Sequence, residues 1–326
     1  MSIKNFNIEQ FELFFEQILA NKIDDNSIKN FLLEINHYNI PKNAIIGAIF
    51  ALKKHMISID HHQDAIDVCG TGGDKLNTLN ISTAVALTLA SMKVKIAKHG
   101  NKAASSQSGS SDVLSQIGIK FSADPQIIDQ QLTKHHISFL FAPYFHPSLK
   151  ILATIRRDLQ VPTIFNYIGP LLNPVNPQRQ IIGVSKFDIL KTLAEVIASI
   201  KPTAKIFLVN GQDGMDEITI TTDSKLVIVE NGLIHQPLTI NPVDFGIKLC
   251  NLSDLSGGDS EHNAKKLIEL FNSKQHSPYL DIVALNCCYA LNLIDSQTDF
   301  QHNFDKVKKH ILSGQVAEFL NKLIPF

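Results

Sequence analysis

Cysteine is scarce and scattered in this chain. The four residues, Cys69, Cys250, Cys287 and Cys288, form no C-x-x-C pair, which argues against a structural zinc site. So sparse and irregular a set suits a reducing cytosol, and Cys287 and Cys288 fall in an apolar run that predicts buried thiols. A basic surplus is missing too. The formal net charge is −1 over 326 residues, whereas a generic nucleic-acid binder carries excess positive charge. No apolar stretch is long enough to span a bilayer, and Glu9, Glu12 and Glu16 among the first apolar residues do not fit a signal peptide. The expectation is a cytoplasmic protein with no membrane and no nucleic-acid partner. What the chain has in quantity is apolar side chain, 44 % of its residues, enough for a core and too much for wholesale disorder.

The first sixty residues read as helices. Ile8, Phe11, Phe15, Ile18 and Leu19 recur at helical spacing, as do Ile28, Phe31, Leu32 and Ile35 after the candidate caps Asp25 and Asn26. Pro41 suits the first turn of a third helix that buries Ile45, Ile49 and Leu52. After the polar run 60–64 the pattern changes. Ala65–Cys69 predicts a strand, Gly70–Asp74 a glycine loop, Ile81–Ser91 a helix and Val94–Ala97 a second strand, the βαβ unit of a parallel sheet. The theme recurs with strands at Ser138–Phe141, Ile181–Val184 and Ile206–Val209, and helices at Pro147–Leu159 and Phe187–Ile200. Lys225–Glu230 and Leu233–Leu238 flank Asn231-Gly232, a hairpin signal. Helices are expected from Ser260 onward, with Asp259 or Ser260 as cap after Gly257-Gly258. The fold class is therefore α/β. A small N-terminal helical domain, residues 1–62, joined by part of the proline-rich 160–180 segment, precedes an α/β domain over 63–326 with a mostly parallel central sheet.

Four constellations carry chemistry. Gly70-Thr71-Gly72-Gly73-Asp74 with Thr78, Asn80, Ser82 and Thr83 offers backbone amides, hydroxyls and a helix N-terminus to an anion. It lacks the lysine of a P-loop and the spacing of a dinucleotide fingerprint. Lys98-His99-Gly100-Asn101-Lys102-Ala103-Ala104-Ser105-Ser106, running on to Ser110, starts where the second strand should end and places a lysine and several hydroxyls at the same sheet edge. Asp216 and Glu217 follow a third strand and suit magnesium, which takes one or two carboxylates and bridges to phosphates. Arg156-Arg157 closes a helix; one guanidinium could fork onto a carboxylate, or both could simply favour the helix dipole.

Taken together, "DVCGTGGD", "NIST", "KHGNKAASS", "GSSDVL", "FLFAPYFHPSLK", "RRDLQVPTIFNYIGPLLNP", "NGQDGMDEI" and "NPVDFG" resemble, in order and spacing, the anthranilate phosphoribosyltransferase family, from about Ile66 to Asp281. The resemblance implies a nucleoside-phosphorylase-like fold, a homodimer formed through the helical domain, and transfer of the phosphoribosyl group of phosphoribosyl pyrophosphate to the amine of anthranilate in tryptophan biosynthesis. By motif, it implies donor contacts from Gly70, Gly73, Asp74, Thr78, Asn80, Ile81, Ser82, Thr83, Lys98, His99, Gly100 and Ser110. The loop Asn101, Lys102, Ala103, Ala104, Ser105 and Ser106 would close over that donor. Gly70, Asn101 and Arg156 would meet anthranilate, and Ser82, Asp216 and Glu217 would hold magnesium, two ions per site. Lys102 departs from a frequent arginine. No side chain is assigned as general acid or base, because the aromatic amine is neutral at pH 7. The rivals are a pyrimidine nucleoside phosphorylase, which shares the fold but uses inorganic phosphate, and a non-catalytic relative that binds nucleic acid.

Overall fold

The computed structural model describes residues 3–102 and 107–324; Ala103, Ala104, Ser105 and Ser106 of the expected closing loop lie outside the described residues. Helix α1 (Ile8–Leu19) begins with a reciprocal cap, in which Asn7 accepts from the Gln10 amide and Gln10 from the Asn7 amide, both at 2.9 Å. Helix α2 (Asp25–His37) is capped by Asp24, which accepts from Ser27 N–H at 3.0 Å; Asp25 and Asn26, the expected caps, lie inside its first turn. Pro41 stands at the N-cap of α3 (Lys42–Lys54), one residue ahead of the expected first-turn position.

The chain then enters β1 (Ile66–Gly70), α4 (Ile81–Ser91) and β2 (Ile96–Gly100). β2 starts two residues later than Val94, because Lys93 at φ 67° and the bond from Val94 N–H to Leu89 O still belong to the turn that ends α4. Lys98 and His99 are thus buried strand residues, not the start of a loop. Two helices without a sequence expectation follow, α5 (Ser110–Gln116) and α6 (Pro125–Lys134), then β3 (Ile137–Phe141) and the short α7 (Ala142–Phe145). The helix expected over 147–159 divides into a 3₁₀ stretch, Pro147–Ile151, and α8 (Leu152–Leu159). β4 (Arg179–Gly183), α9 (Phe187–Ile200) and β5 (Lys205–Gly211) complete the parallel part. β6 (Ser224–Glu230) is antiparallel, and the expected partner strand 233–238 is broken into β7 (Leu233–Ile234) and β8 (Leu238–Ile240), each pairing with β6. Helices α10 (Ser260–Asn272), α11 (Pro278–Ile294), α12 (Phe300–Leu312) and α13 (Gln315–Leu323) close the chain.

Strand order in the sheet is β3-β2-β1-β4-β5-β6-β7, with β1 to β5 mutually parallel. The order reverses between β1 and β4, and in open α/β sheets that crevice, at the carboxyl ends of the strands, is where ligands bind. Side chains alternate across each strand. Val68, Phe207 and Val209 therefore pack against α4 and α10–α13, while Cys69, Ile182 and Leu208 share a second core with α1–α3, α8 and α9. Buried amides pin the proline-rich segment to the sheet. Asn173 Nδ2 donates to Asp67 Oδ2 at 2.9 Å and to Ala97 O at 2.8 Å, and Gln180 Nε2 donates to Pro170 O at 2.9 Å. Lys201 donates to Pro177 O at 2.6 Å and to Gln180 Oε1 at 2.9 Å, and burial pushes its pKa down to about 7. Among the described residues no helix is long and apolar enough to cross a membrane.

Candidate active site

β1 ends at Gly70, and the chain turns through Gly72 and Gly73 at φ 68° and 79°, a left-handed conformation that costs glycine little. Thr71 N–H donates to Gly183 O at the end of β4 at 2.8 Å, which fastens the loop across the switch point. The turn after β5 lies against it. Asp216 Oδ2 accepts from Gly72 N–H at 2.6 Å, and Glu217 Oε1 accepts from Ser82 N–H at 3.1 Å in the first turn of α4. A methyl group at Gly70 would collide with the Asp216 carboxylate, so the close approach requires glycine there. Asp213 holds the turn by accepting from Met215 N–H at 3.0 Å and from Thr219 Oγ1 at 2.7 Å.

Three carboxylates meet here. Burial and neighbouring Asp74 push Asp216 up to about 7; burial and neighbouring Asp216 push Glu217 up to about 8. Burial also raises Asp74. Neither Asp216 nor Glu217 enters an ion pair among the described residues; Lys98 offsets Glu217 electrostatically, while its ammonium donates to Val68 O at 2.6 Å. Oxygen donors crowded together with so little compensating positive charge fit a hard divalent cation. No group of three or more His, Cys, Asp or Glu arranged to hold a metal on its own occurs among the described residues, so a cation here would need waters or ligand phosphates for most of its coordination.

These segments line one cleft of about 360 Å³ that contains Gly70, Gly73, Asp74, Thr78, Asn80, Ile81, Ser82, Thr83, Lys98, His99, Gly100, Asn101, Lys102, Ser110, Arg156, Asp216 and Glu217. Every described residue to which the resemblance gives a site role is thus brought together, while Arg157, the other arginine of the pair, is not in the lining. Their contributions differ. Ile81 keeps its side chain in the core and Thr83 is buried with Oγ1 unpartnered. Ser110 Oγ donates to Asn101 O at 3.4 Å, closing the base of the loop that leaves β2. Arg156, also in the lining, has no carboxylate partner among the described residues; burial lowers its pKa and its guanidinium lies 5.8 Å from the Phe165 ring centroid.

Sequence reasoning missed His146, which lines the cleft 5.3 Å from His99, ring centre to ring centre. His99 Nδ1 sits 3.2 Å from Gly169 O and His146 Nε2 sits 2.9 Å from Leu172 O, leaving His99 Nε2 and His146 Nδ1 buried and unpartnered. Burial lowers the two pKa values to about 3 and about 4, so both rings are neutral. Also missed were Ser108, which lines the cleft, and Asn263, which donates to its Oγ at 2.8 Å; neither carries a local motif.

A family model described as the glycosyl transferase family, a/b domain, matches residues 62–317. The anthranilate phosphoribosyltransferase of Dictyoglomus turgidum is 37 % identical over 320 residues, covering 98 % of this chain and 95 % of the relative. The crystal structure of anthranilate phosphoribosyltransferase from Thermus thermophilus superposes with a TM-score of 0.88 at 28 % identity, over 98 % of this chain and 95 % of that one. The Saccharomyces cerevisiae enzyme in complex with phosphoribosyl pyrophosphate and magnesium gives a TM-score of 0.91 at 26 % identity, over 100 % and 94 %.

Proposed function

This chain belongs to the glycosyl transferase family through its α/β domain, and within it to the anthranilate phosphoribosyltransferases; we propose that it transfers the phosphoribosyl group of phosphoribosyl pyrophosphate to the amine of anthranilate, a step of tryptophan biosynthesis. The observation that carries this is the convergence of a glycine-loop anion cradle, Lys98 and the Asp216–Glu217 pair on one cleft at the switch point of the sheet.

In the reaction the C1–O bond to pyrophosphate breaks, the C1–N bond forms, and the amine nitrogen loses a proton. The difficulty is charge on the departing pyrophosphate and at the oxocarbenium-like carbon, which positioned electrostatics can relieve. Ser82, Asp216 and Glu217 would hold magnesium, two ions per site, which when bound neutralises phosphate charge. Amides of the Gly70–Asp74 turn and the N-terminus of α4, with Lys98, Thr78, Asn80, Thr83 and Ser110, bind the donor. Ile81, His99 and Gly100 form the wall behind it, and Asn101 and Lys102 lead into the loop that would close over it. Gly70, Asn101 and Arg156 orient the acceptor, with Arg156 on its carboxylate. No side chain is needed as a general base. Residues 1–62, with part of 160–180, form the small domain, 63–326 the catalytic one, and the enzyme works as a homodimer in the cytoplasm.

The test is to mix the protein with magnesium, phosphoribosyl pyrophosphate and anthranilate and follow loss of anthranilate fluorescence. Omitting any one component should abolish the change. Turnover without magnesium, or cleavage of thymidine with inorganic phosphate in its place, would refute the assignment. Sedimentation at assay concentration checks the dimer.

A further inference from the structure

Asn80 stands at the N-cap of α4, where asparagine is among the preferred caps because its side-chain oxygen accepts a helix amide. Here it makes no such bond. Its Oδ1 instead accepts from Nδ2 of Asn263, at 2.9 Å and 183 residues away. Asn263 lies in the first turn of α10 and is 2 % exposed. Its second Nδ2 hydrogen goes to Ser108 Oγ at 2.8 Å, and its Oδ1 accepts from Gly258 N–H at 2.8 Å. A backbone N–H can only donate, so Gly258 fixes which end of the Asn263 amide faces it. Asn263 must then donate to Asn80, and Asn80 must accept with its oxygen. That leaves the Asn80 NH₂ group as the end available to the cleft, which is the polarity an anion requires. The Asn80 side chain thus leaves α4 uncapped, and Ser82 N–H in its first turn goes to Glu217 Oε1 instead. Through Ser108 the same side chain also holds the residues just ahead of α5.

We propose that Asn263 is a positioning residue for donor binding: it sets the orientation of Asn80, withholds that side chain from capping α4, and ties both to Ser108 in the cleft wall. The glycine pair Gly257-Gly258 ahead of α10 has the role of orienting Asn263. Gly257 N–H donates to Asn77 O at 2.7 Å, and a Cβ at Gly257 would come within 2.5 Å of Thr78 O, so this turn sits directly behind the donor loop. The inference rests on the proposed activity.

Steady-state kinetics of Asn263→Ala and Asn263→Asp test it, with Asn303→Ala as a control that removes another buried amide, bonded to Asn292 at 2.7 Å and away from the cleft. Asn263→Ala should raise KM for phosphoribosyl pyrophosphate about tenfold and change KM for anthranilate by less than about twofold, the loss of one or two buried hydrogen bonds. Asn263→Asp can still accept from Gly258 but cannot donate to Asn80, so it should bind the donor more weakly still despite its matching shape. Asn303→Ala should lower Tm and leave both KM values in place. If the Asn263 variants merely lower Tm with unchanged KM, or raise both KM values together, Asn263 is structural only and the inference fails. Calorimetric titration of phosphoribosyl pyrophosphate with magnesium repeats the comparison without turnover. A wild type that binds the donor but does not react with anthranilate therefore counts against the activity alone.

Discussion

At the scale of single residues, Arg156 is the sharpest probe of acceptor binding. It lines the cleft without an acidic partner among the described residues, and burial already lowers its pKa. A bound carboxylate would supply the missing counter-charge. Arg156→Ala should raise KM for anthranilate by about tenfold to a hundredfold, the worth of a charged hydrogen bond at roughly 1.5–3 kcal/mol, and move KM for the donor far less. Initial-rate measurements with each substrate varied in turn decide it; equal damage to both would show that Arg156 only supports the fold. The individual site residues are legible in the sequence because motif and spacing mark them: Gly70, Asp74, Lys98, Asp216 and Glu217 all reach one cleft. Asn263 and His146 are not, because their roles depend on partners far away in sequence, Asn80 and Ser108 for the one and Leu172 for the other.

At the scale of elements, the β1–α4 unit carries the proposed donor site, and its turn depends on backbone conformation. Gly72 has φ 68° and gives its N–H to Asp216. Gly72→Ala meets no steric neighbour there, so its cost is the left-handed backbone alone, about 1–2 kcal/mol. Thermal melts should show a modest fall in Tm, and donor KM should rise if the turn relaxes. An unchanged melt and unchanged donor KM would mean that the conformation is not demanded by the site. Helix α4 is legible to the residue because its apolar run is bounded by clear signals. The start of β2 is not, because Val94 looks like a strand former while its N–H is still bonded to the turn that follows α4. The strand expected over 233–238 fails differently: β7 and β8 pair with separate parts of β6, and alternation alone does not reveal the break.

At the scale of the whole molecule, a mostly parallel sheet follows from the recurring βα pattern, whereas the strand order, and with it the pairing of β1 with β4 that creates the crevice, depends on long-range contacts. The buried pair His99 and His146 gives the fold an acid weakness. Their pKa values fall from 6.5 in the unfolded chain to about 3 and about 4 in the folded protein. Below pH 6.5 the unfolded state binds protons that the native state refuses, so the stability they allow is complete above pH 6.5 and is lost as pH falls toward 4. Urea unfolding from pH 8 to pH 4.5 should show that decline, and His146→Gln should flatten it. An identical pH dependence in the variant would mean the ring already titrates in the native state. The same neutrality predicts no ionisation of His99 in the pH–rate profile above pH 5.

The central claim is that the Gly70–Asp74 turn, Lys98 and the Asp216–Glu217 pair hold one pyrophosphate together through magnesium. It is tested most directly by calorimetric titration of phosphoribosyl pyrophosphate into the protein, with and without magnesium, for the wild type and for Asp216→Asn with Glu217→Gln. Tight binding should need the metal, and the double variant should lose affinity by at least about tenfold, the loss of a charge-assisted contact. Equal affinity without magnesium, or in the double variant, would contradict a shared, metal-bridged donor site.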